Sequence, residues 1–191
     1  KRSLDLWKLE RAGLADQGTG GTHSSTCRQR EGMAGLLKRH LLHLVVSSNF
    51  HITCSAISSS GKILALSNSR GTRFYSLKYR SHNGTAMVCS CKDIKLPYLR
   101  WTRSLEITFC PISQRAVVAA DDGSILLLTF QTAVGGDVTV VNRTVLLTSV
   151  AEPAAVLSLV ISNDEQWLVC ANVDNRIVVF SLESGRVNAQ L

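Results

Sequence analysis

Short segments in which apolar and polar residues alternate recur along this chain, and each is followed by a polar break. In the stretch 105–130, Leu105, Ile107 and Phe109 alternate with polar residues, a break at 111–114 follows, and an apolar run comes next. Alternation with a period of two predicts a half-buried β-strand, and a short apolar run between turn residues predicts a buried strand. The stretch therefore predicts three antiparallel strands joined by two hairpins.

The same pattern occurs three times. A displacement of 52 residues superposes 105–130 on 157–182 without a gap, and a displacement of 53 relates 105–130 to 52–77. In the earliest copy the first apolar positions are taken by Ile52, Cys54 and Ala56. Three copies in register indicate a structural repeat rather than chance similarity.

A fourth strand per repeat is predicted between the copies, at 86–91 and 138–147. Four antiparallel strands repeated about every 50 residues are typical of the blades of a β-propeller. The sequence thus predicts an all-β fold, a partial WD-repeat-like β-propeller with about three complete four-stranded blades. Because so few blades cannot close a ring, the remainder of its own propeller is an expected partner.

Two further regions precede the repeats. Trp7 lies in a strand-like segment and takes the place of the large apolar residue of a third strand, so 1–9 is predicted to be the third strand of a preceding blade. On this interpretation the chain starts in mid-blade and is an excised piece. The stretch 10–39 has few large apolar residues before Leu36 and is predicted to be a flexible polar insertion, followed by consecutive blades over 40–191.

The turns before the third strands carry short acidic residues. Asp122 and Asp174 lie in these turns, where a short carboxylate accepts backbone N–H groups and holds the turn. Both are predicted to be structural. The Gly-His and Trp-Asp dipeptides of the strict WD repeat are missing, so its hydrogen-bonded tetrad is expected to be incomplete.

Charge is distributed unevenly. Residues 51–103 hold nine Lys and Arg against one Asp, whereas residues 104–191 hold four against nine acidic residues. A basic region indicates either a solvated surface or an acidic partner such as nucleic acid. Composition alone leaves both open.

One part of the basic region combines cations with an aromatic residue. Arg100 and Arg103 flank Trp101 in a loop before the next inner strand, with Lys95 close by in sequence. Cations beside an aromatic ring suit an RNA backbone with a stacked base, so these four residues are the candidate RNA-binding site. The alternative is that Trp101 is buried between blades and the two arginines are solvated.

Other chemistry is not indicated. Cys89 and Cys91 form the only close cysteine pair and lack a second pair that would complete a zinc site. There is no phosphate-binding glycine loop and no nucleophile with a base beside it, so we expect neither an enzyme nor a metal or cofactor. Every apolar stretch is far shorter than the ~20 residues that span a bilayer, so no membrane partner is expected.

The succession of segments resembles the cirhin family, tandem-propeller proteins of the small-subunit processome. The matching segments are LDLWKL, a polar insertion, HLLHL, ITCSAISSSGKILALS, YSLKY and LEITFCPISQRAVVAADDGSILLL. The resemblance covers about Leu4 to Leu182 apart from the insertion, and implies the start of a second propeller. It implies a scaffold subunit in the nucleus and nucleolus that binds precursor ribosomal RNA and other processome proteins during small ribosomal subunit biogenesis, without a cofactor.

Two functional hypotheses follow. In the first, the chain is a non-enzymatic scaffold within a ribonucleoprotein. In the second, it is a protein-interaction propeller, an adaptor or trafficking subunit whose positive charge is incidental. Binding to RNA that weakens steeply with salt would separate the two.

Overall fold

The fold contains strands and turns, and no helix among the residues that the structure describes. In the computed structural model, the described residues are 3–11, 36–45, 50–82, 85–146 and 155–191. Only the backbone is described for 7–11, 36–40, 80–82 and 85–89. The chain divides into two compact units, Ser3–Val45 and Val46–Leu191.

The first unit is an antiparallel hairpin of β1 (Ser3–Arg11) and β2 (Leu36–Val45). The insertion predicted over 10–39 is narrower than expected, because the last pairs of the ladder join Glu10 to Leu37 and Arg11 to Leu36. Backbone pairing extends a ladder without needing further apolar side chains. Residues 12–35 lie outside the described residues, as does the side chain of Trp7. The assignment of this hairpin to a preceding blade stays a prediction.

The second unit consists of three four-stranded antiparallel sheets, each a meander in chain order. The first blade contains β3 (Ile52–Ile57), β4 (Ile63–Asn68), β5 (Gly71–His82) and β6 (Thr85–Ile94). The second contains β7 (Ser104–Phe109), β8 (Arg115–Ala120), β9 (Ile125–Thr132) and β10 (Val138–Leu146). The third contains β11 (Val156–Ile161), β12 (Trp167–Asn172), β13 (Ile177–Ser181) and β14 (Val187–Gln190). The predicted partial β-propeller is confirmed.

The strand register corrects one detail of the repeat. Each inner strand has a β-bulge at the same place, after Ile52, Ser104 and Val156, and these residues are 52 apart in both intervals. The predicted displacement of 53 holds only from β5 onward. The reason is that the β4–β5 hairpin is one residue shorter than the β8–β9 hairpin. Ser67 pairs with Thr72 in the first blade, whereas Ala119, the residue equivalent to Ser67, pairs with Ile125 in the second.

Two apolar cores hold the three blades together. Inner strand β7 contacts β3 on one side and β11 on the other. In β8, Ala116 and Val118 belong to the core shared with the first blade, while Val117 and Ala119 belong to the core shared with the third. Because successive strand residues point to opposite faces, the middle blade is buried on both sides.

The large residue expected in each third strand is in place. Leu128 and Phe180 are fully buried, and Tyr75, at the equivalent position of the first blade, is half-buried. Leu128 belongs to the core with the first blade and Phe180 to the core with the second, so each packs toward the blade that precedes it.

The turns before the third strands are held by different side chains. A carboxylate oxygen of Asp122 accepts the Ser124 N–H at 2.9 Å, and these hydrogen bonds lower the pKa of Asp122. In the third blade the acceptor is Asn172, which receives the N–H groups of Asp174 and Arg176 at 3.1 and 3.0 Å. The role predicted for Asp174 is therefore wrong, because Asn172 ends β12 and points its amide oxygen into the turn.

Candidate nucleic-acid interface

The candidate site lies at one end of the first blade, where loop 95–103 leaves β6 and the Ser69–Arg70 turn joins β4 to β5. Thr72 fastens the two segments together. Its N–H donates to the Leu99 carbonyl at 2.9 Å, and its hydroxyl donates to the Thr102 carbonyl at 2.9 Å. The loop backbone is thereby held against the start of β5.

The turn itself is tightly packed on the loop. The side-chain oxygen of Asn68 accepts the N–H groups of Arg70 and Gly71 at 2.9 and 3.2 Å. Gly71 has a φ of 154°, and a Cβ atom there would lie 1.9 Å from the Arg100 carbonyl oxygen. Only glycine allows this approach, which brings Arg70 beside Trp101.

Trp101 is exposed at the surface with a cation on each of its neighbouring segments. The residue is 66% exposed. The guanidinium carbon of Arg70 lies 5.2 Å from the indole ring centroid, and that of Arg100 lies 5.8 Å from it. Both distances fall within the range of cation–π attraction. The alternative of a tryptophan buried between blades is wrong, because the loop carries the indole outward.

Beside the indole is a cavity of about 390 Å³. Its walls include two further cations, Arg73 and Lys95, together with one carboxylate, Asp93. It is also lined by Thr72, Ile94, Leu96, Pro97, Arg100 and Trp101. The cavity therefore offers an aromatic edge, a positively charged wall and a single acceptor carboxylate.

The structure brings together three of the four predicted residues, Lys95, Arg100 and Trp101. Arg103 is separate from them. Its Nε is buried without a hydrogen-bond partner in the described part of the chain. Its charge acts instead on Cys54 of β3, whose pKa burial and Glu106 raise to about 12 while Arg103 lowers it.

Sequence reasoning missed Arg70 and Arg73 as members of the site. They precede Trp101 by about 30 residues, and only the pairing of β4, β5 and β6 brings them to the loop. The usable signal was the glycine after Arg70, since a glycine in a tight turn permits a close approach of another backbone segment.

Two other cations of the basic region are already paired. The ammonium groups of Lys78 and Lys92 lie 3.1 and 3.0 Å from the Asp137 carboxylate oxygens. These contacts lower the pKa of Asp137. A second cation–aromatic contact involves Tyr98 of loop 95–103, whose ring centroid lies 4.5 Å from the guanidinium carbon of Arg143.

The part of the chain that the structure describes contains no cluster of three His, Cys, Asp or Glu side chains suited to a metal ion. Within the same residues, no helix has the length and apolar character needed to cross a membrane. Cys54 and Cys91 are partly buried, Cys110 and Cys170 are buried, and burial raises the pKa of each thiol.

The fold and this site define a protein of the β-propeller class with a basic, aromatic surface on one blade. No protein-family model matches the chain, and no curated protein matches it.

Proposed function

We propose that this chain is a non-enzymatic scaffold propeller that binds single-stranded RNA through the Trp101 site. This site consists of Trp101 and the cations around it, Arg70, Arg73, Lys95 and Arg100. The observation that carries the proposal is that Trp101 is 66% exposed and has Arg70 and Arg100 against its ring. Surfaces that bind unpaired RNA combine positive charge with an aromatic ring on which a base stacks. Guanidinium groups suit the backbone, because they form paired hydrogen bonds with phosphate oxygens.

The biological setting that we propose follows the resemblance to the cirhin family. In that setting the RNA is precursor ribosomal RNA, the partners are processome proteins, and the site of action is the nucleolus. Recovery of precursor ribosomal RNA above other RNAs, after crosslinking of the tagged chain in nuclear extract, would support it. Recovery of all RNAs in proportion to their abundance would contradict it.

The remaining blades of its own propeller are a further proposed partner. Ile177 in β13 is 39% exposed, whereas Ile125, displaced from it by 52 residues, is 2% exposed within the core between the second and third blades. Leu157 and Val160 of β11 are also exposed. An additional blade packed on the third would cover Ile177 as the third blade covers Ile125.

The test of RNA binding is a salt titration with an unstructured single-stranded RNA. We expect the combined variant Arg73→Gln, Lys95→Gln and Arg100→Gln to bind more weakly. The slope of log affinity against log salt should become shallower by about 2, because each lost phosphate contact on a single strand contributes about 0.7.

The matched control removes the same charge elsewhere, through Lys62→Gln, Lys92→Gln and Arg186→Gln. All three side chains are exposed, and none lines the Trp101 cavity. This control should retain most of the affinity and the slope. Equal losses in both variants would show non-specific attraction to a basic protein, and no loss in either would contradict the proposal.

A second candidate function is a protein-interaction propeller that does not bind RNA. It is favoured by the pairing of Lys78 and Lys92 with Asp137, which reduces the charge available to RNA. If wild-type protein shows no salt-dependent RNA binding while its fold is intact, this second function replaces the first.

A further inference from the structure

The Trp101 cavity contains a group that a purely electrostatic RNA surface does not need. Asp93 lies in β6 and contributes the only carboxylate among the described residues that line the cavity. Its neighbours there include Arg73, Lys95 and Arg100. A carboxylate among three cations weakens phosphate binding, so a role in base recognition would explain what it adds.

Asp93 is positioned by regular strand pairing rather than by a mobile loop. It lies opposite Tyr75 in the β5–β6 ladder, and the next residue, Ile94, is buried in the core between the first and second blades. Since neighbouring strand residues point to opposite faces, burial of Ile94 directs Asp93 away from that core. The Asp93 backbone is therefore held in a fixed place relative to loop 95–103.

An ionised carboxylate only accepts hydrogen bonds. Among the pyrimidines, cytosine presents a donor amine at C4, whereas uracil presents a carbonyl acceptor there. The cavity volume of about 390 Å³ lies within the range of small-molecule pockets, and an unpaired base is an object of that kind. A uracil O4 placed against Asp93 would be repelled, whereas a cytosine amine would donate to it.

We infer that the Trp101 cavity takes one unpaired base bearing an exocyclic amine, with the amine donating to Asp93 and the adjacent phosphates on Arg73, Lys95 and Arg100. The inference rests on the proposed function. It adds to that function a choice of base, which the cations and the indole do not provide by themselves.

The test compares oligocytidylate with oligouridylate of about six nucleotides, a length within the range that single RNA-binding domains cover. At neutral pH and fixed salt, the two differ in the group at C4 and at N3, which accepts a hydrogen bond in cytosine and donates one in uracil, so the comparison requires the base to place its C4 group against Asp93. We expect wild-type protein to prefer oligocytidylate by about tenfold, at the lower end of what a well-placed base contact gives.

Asp93→Asn should reduce that preference to about twofold or less, since the Asn side-chain NH2 group can donate a hydrogen bond to uracil O4. The ratio of the two affinities is the readout, because removing a negative charge strengthens binding to both. The control is Asp121→Asn, which makes the same charge change at an exposed residue of the β8–β9 turn. That variant should leave the ratio at its wild-type value.

The outcomes separate the inference from the proposed function. If both oligonucleotides bind equally well, or Asp93→Asn keeps the wild-type ratio, base choice by Asp93 is overturned while RNA binding stands. If neither oligonucleotide binds to a folded chain, both the function and the inference are overturned. A thermal unfolding curve for each variant verifies that the fold is intact.

Discussion

The junction between the first and second blades and the junction between the second and third place different chemistry at equivalent positions. At the first junction three buried hydroxyl groups contact one another, those of Ser67, Thr72 and Ser104. At the second junction the equivalent residues are buried and apolar, namely Ala119, Ile125 and Val156. The same backbone arrangement thus accepts either a hydrogen-bonded cluster or an apolar one.

The difference explains why the candidate site belongs to the first junction. The hydroxyl of Thr72 also binds the Thr102 carbonyl, at the end of the loop that carries Trp101. The apolar side chain of Ile125 has no hydrogen-bond donor that could hold a corresponding loop. Polar residues at this junction therefore position a surface loop, in addition to joining two blades.

The second junction has its own polar connection, at the opposite end of the blades. Glu165, in the β11–β12 hairpin, is 8% exposed and reaches the hairpin of the second blade. Its carboxylate accepts the N–H groups of Ile112 and Ser113 at 2.5 and 2.7 Å, and the Arg115 guanidinium at 3.0 Å. Each junction is thus joined by polar contacts at one end and by apolar packing elsewhere.

The largest effect is expected from Gly71→Ala at the first junction. The added methyl group would meet the Arg100 carbonyl, and the positive φ would be strained as well. Backbone strain and overpacking together should lower the free energy of unfolding by about 4 kcal/mol. Denaturant titration measures it. Gly135→Ala is the matched control, because nothing lies within 4 Å of a Cβ there, and a similar loss in both variants would contradict the close approach.

Acid should weaken the second junction through Glu165. Burial opposes ionisation of this carboxyl, but hydrogen bonds from Ser113, Ile112 and Arg115 outweigh it and lower its pKa from the ordinary 4.5 to about 2. A lowered pKa in the folded state stabilises the fold above pH 4.5, and this stabilisation disappears as the pH falls toward about 2. We expect the free energy of unfolding to fall by roughly 2 kcal/mol over this interval. This value is smaller than the full pKa shift would give, because nearby solvent screens the charge.

Glu165→Gln should remove that part of the acid sensitivity and destabilise the protein at neutral pH by about 2 kcal/mol. Unfolding curves at several pH values measure both. Glu183→Gln, which makes the same substitution at an exposed residue of the same blade, is the matched control. If Glu165→Gln keeps the full wild-type acid sensitivity, the connection between the hairpins contributes nothing to it.

The hydroxyl cluster can be tested by replacing its three residues with the apolar residue types found at the second junction. Thr72→Val keeps the side-chain shape but leaves buried hydroxyl and carbonyl partners unpaired, and should cost about 1.5 kcal/mol. The combined change Ser67→Ala, Thr72→Ile and Ser104→Val should cost less than the sum of its single changes, because the partners are removed together. Additive costs would mean that the three hydroxyls act independently.

The smallest effect concerns the turns. Asn172→Ala should cost about 1 kcal/mol, because two N–H groups lose their acceptor. Asp174→Ala should change the free energy of unfolding by less than about 0.5 kcal/mol, as is usual for exposed residues. Thermal unfolding of the two variants measures both losses. A larger loss for Asp174→Ala than for Asn172→Ala would show that Asp174 holds the turn.

The repeat and the strands were predictable because they depend on local pattern. Alternation of apolar residues predicted each inner strand, and the displacement of 52 residues between the last two copies matches the strand register. The first copy was aligned one residue off because its β4–β5 hairpin is shorter, and apolar positions alone do not show which hairpin lost a residue. The part that Asn172 plays in the third-blade turn was missed for a similar reason, since Asn and Asp are both good turn residues.

The candidate site was predictable only in part. Lys95, Arg100 and Trp101 are close in sequence, so their common location followed from loop length. Arg70 and Arg73 reach them through strand pairing, whereas Arg103 does not line the cavity and its charge instead lowers the pKa of Cys54 in β3. Which way a loop side chain points depends on packing against distant strands.

The sequence by itself determined the all-β class, the three repeats of four strands and the order of strands, because period-two alternation and turn residues act within about ten positions. Tertiary structure alone decided which cations surround Trp101, that its indole faces solvent, and that Asp93 joins the cavity. These outcomes depend on contacts between segments about 10 to 30 residues apart, which form only when the hairpins of a blade pair in one register.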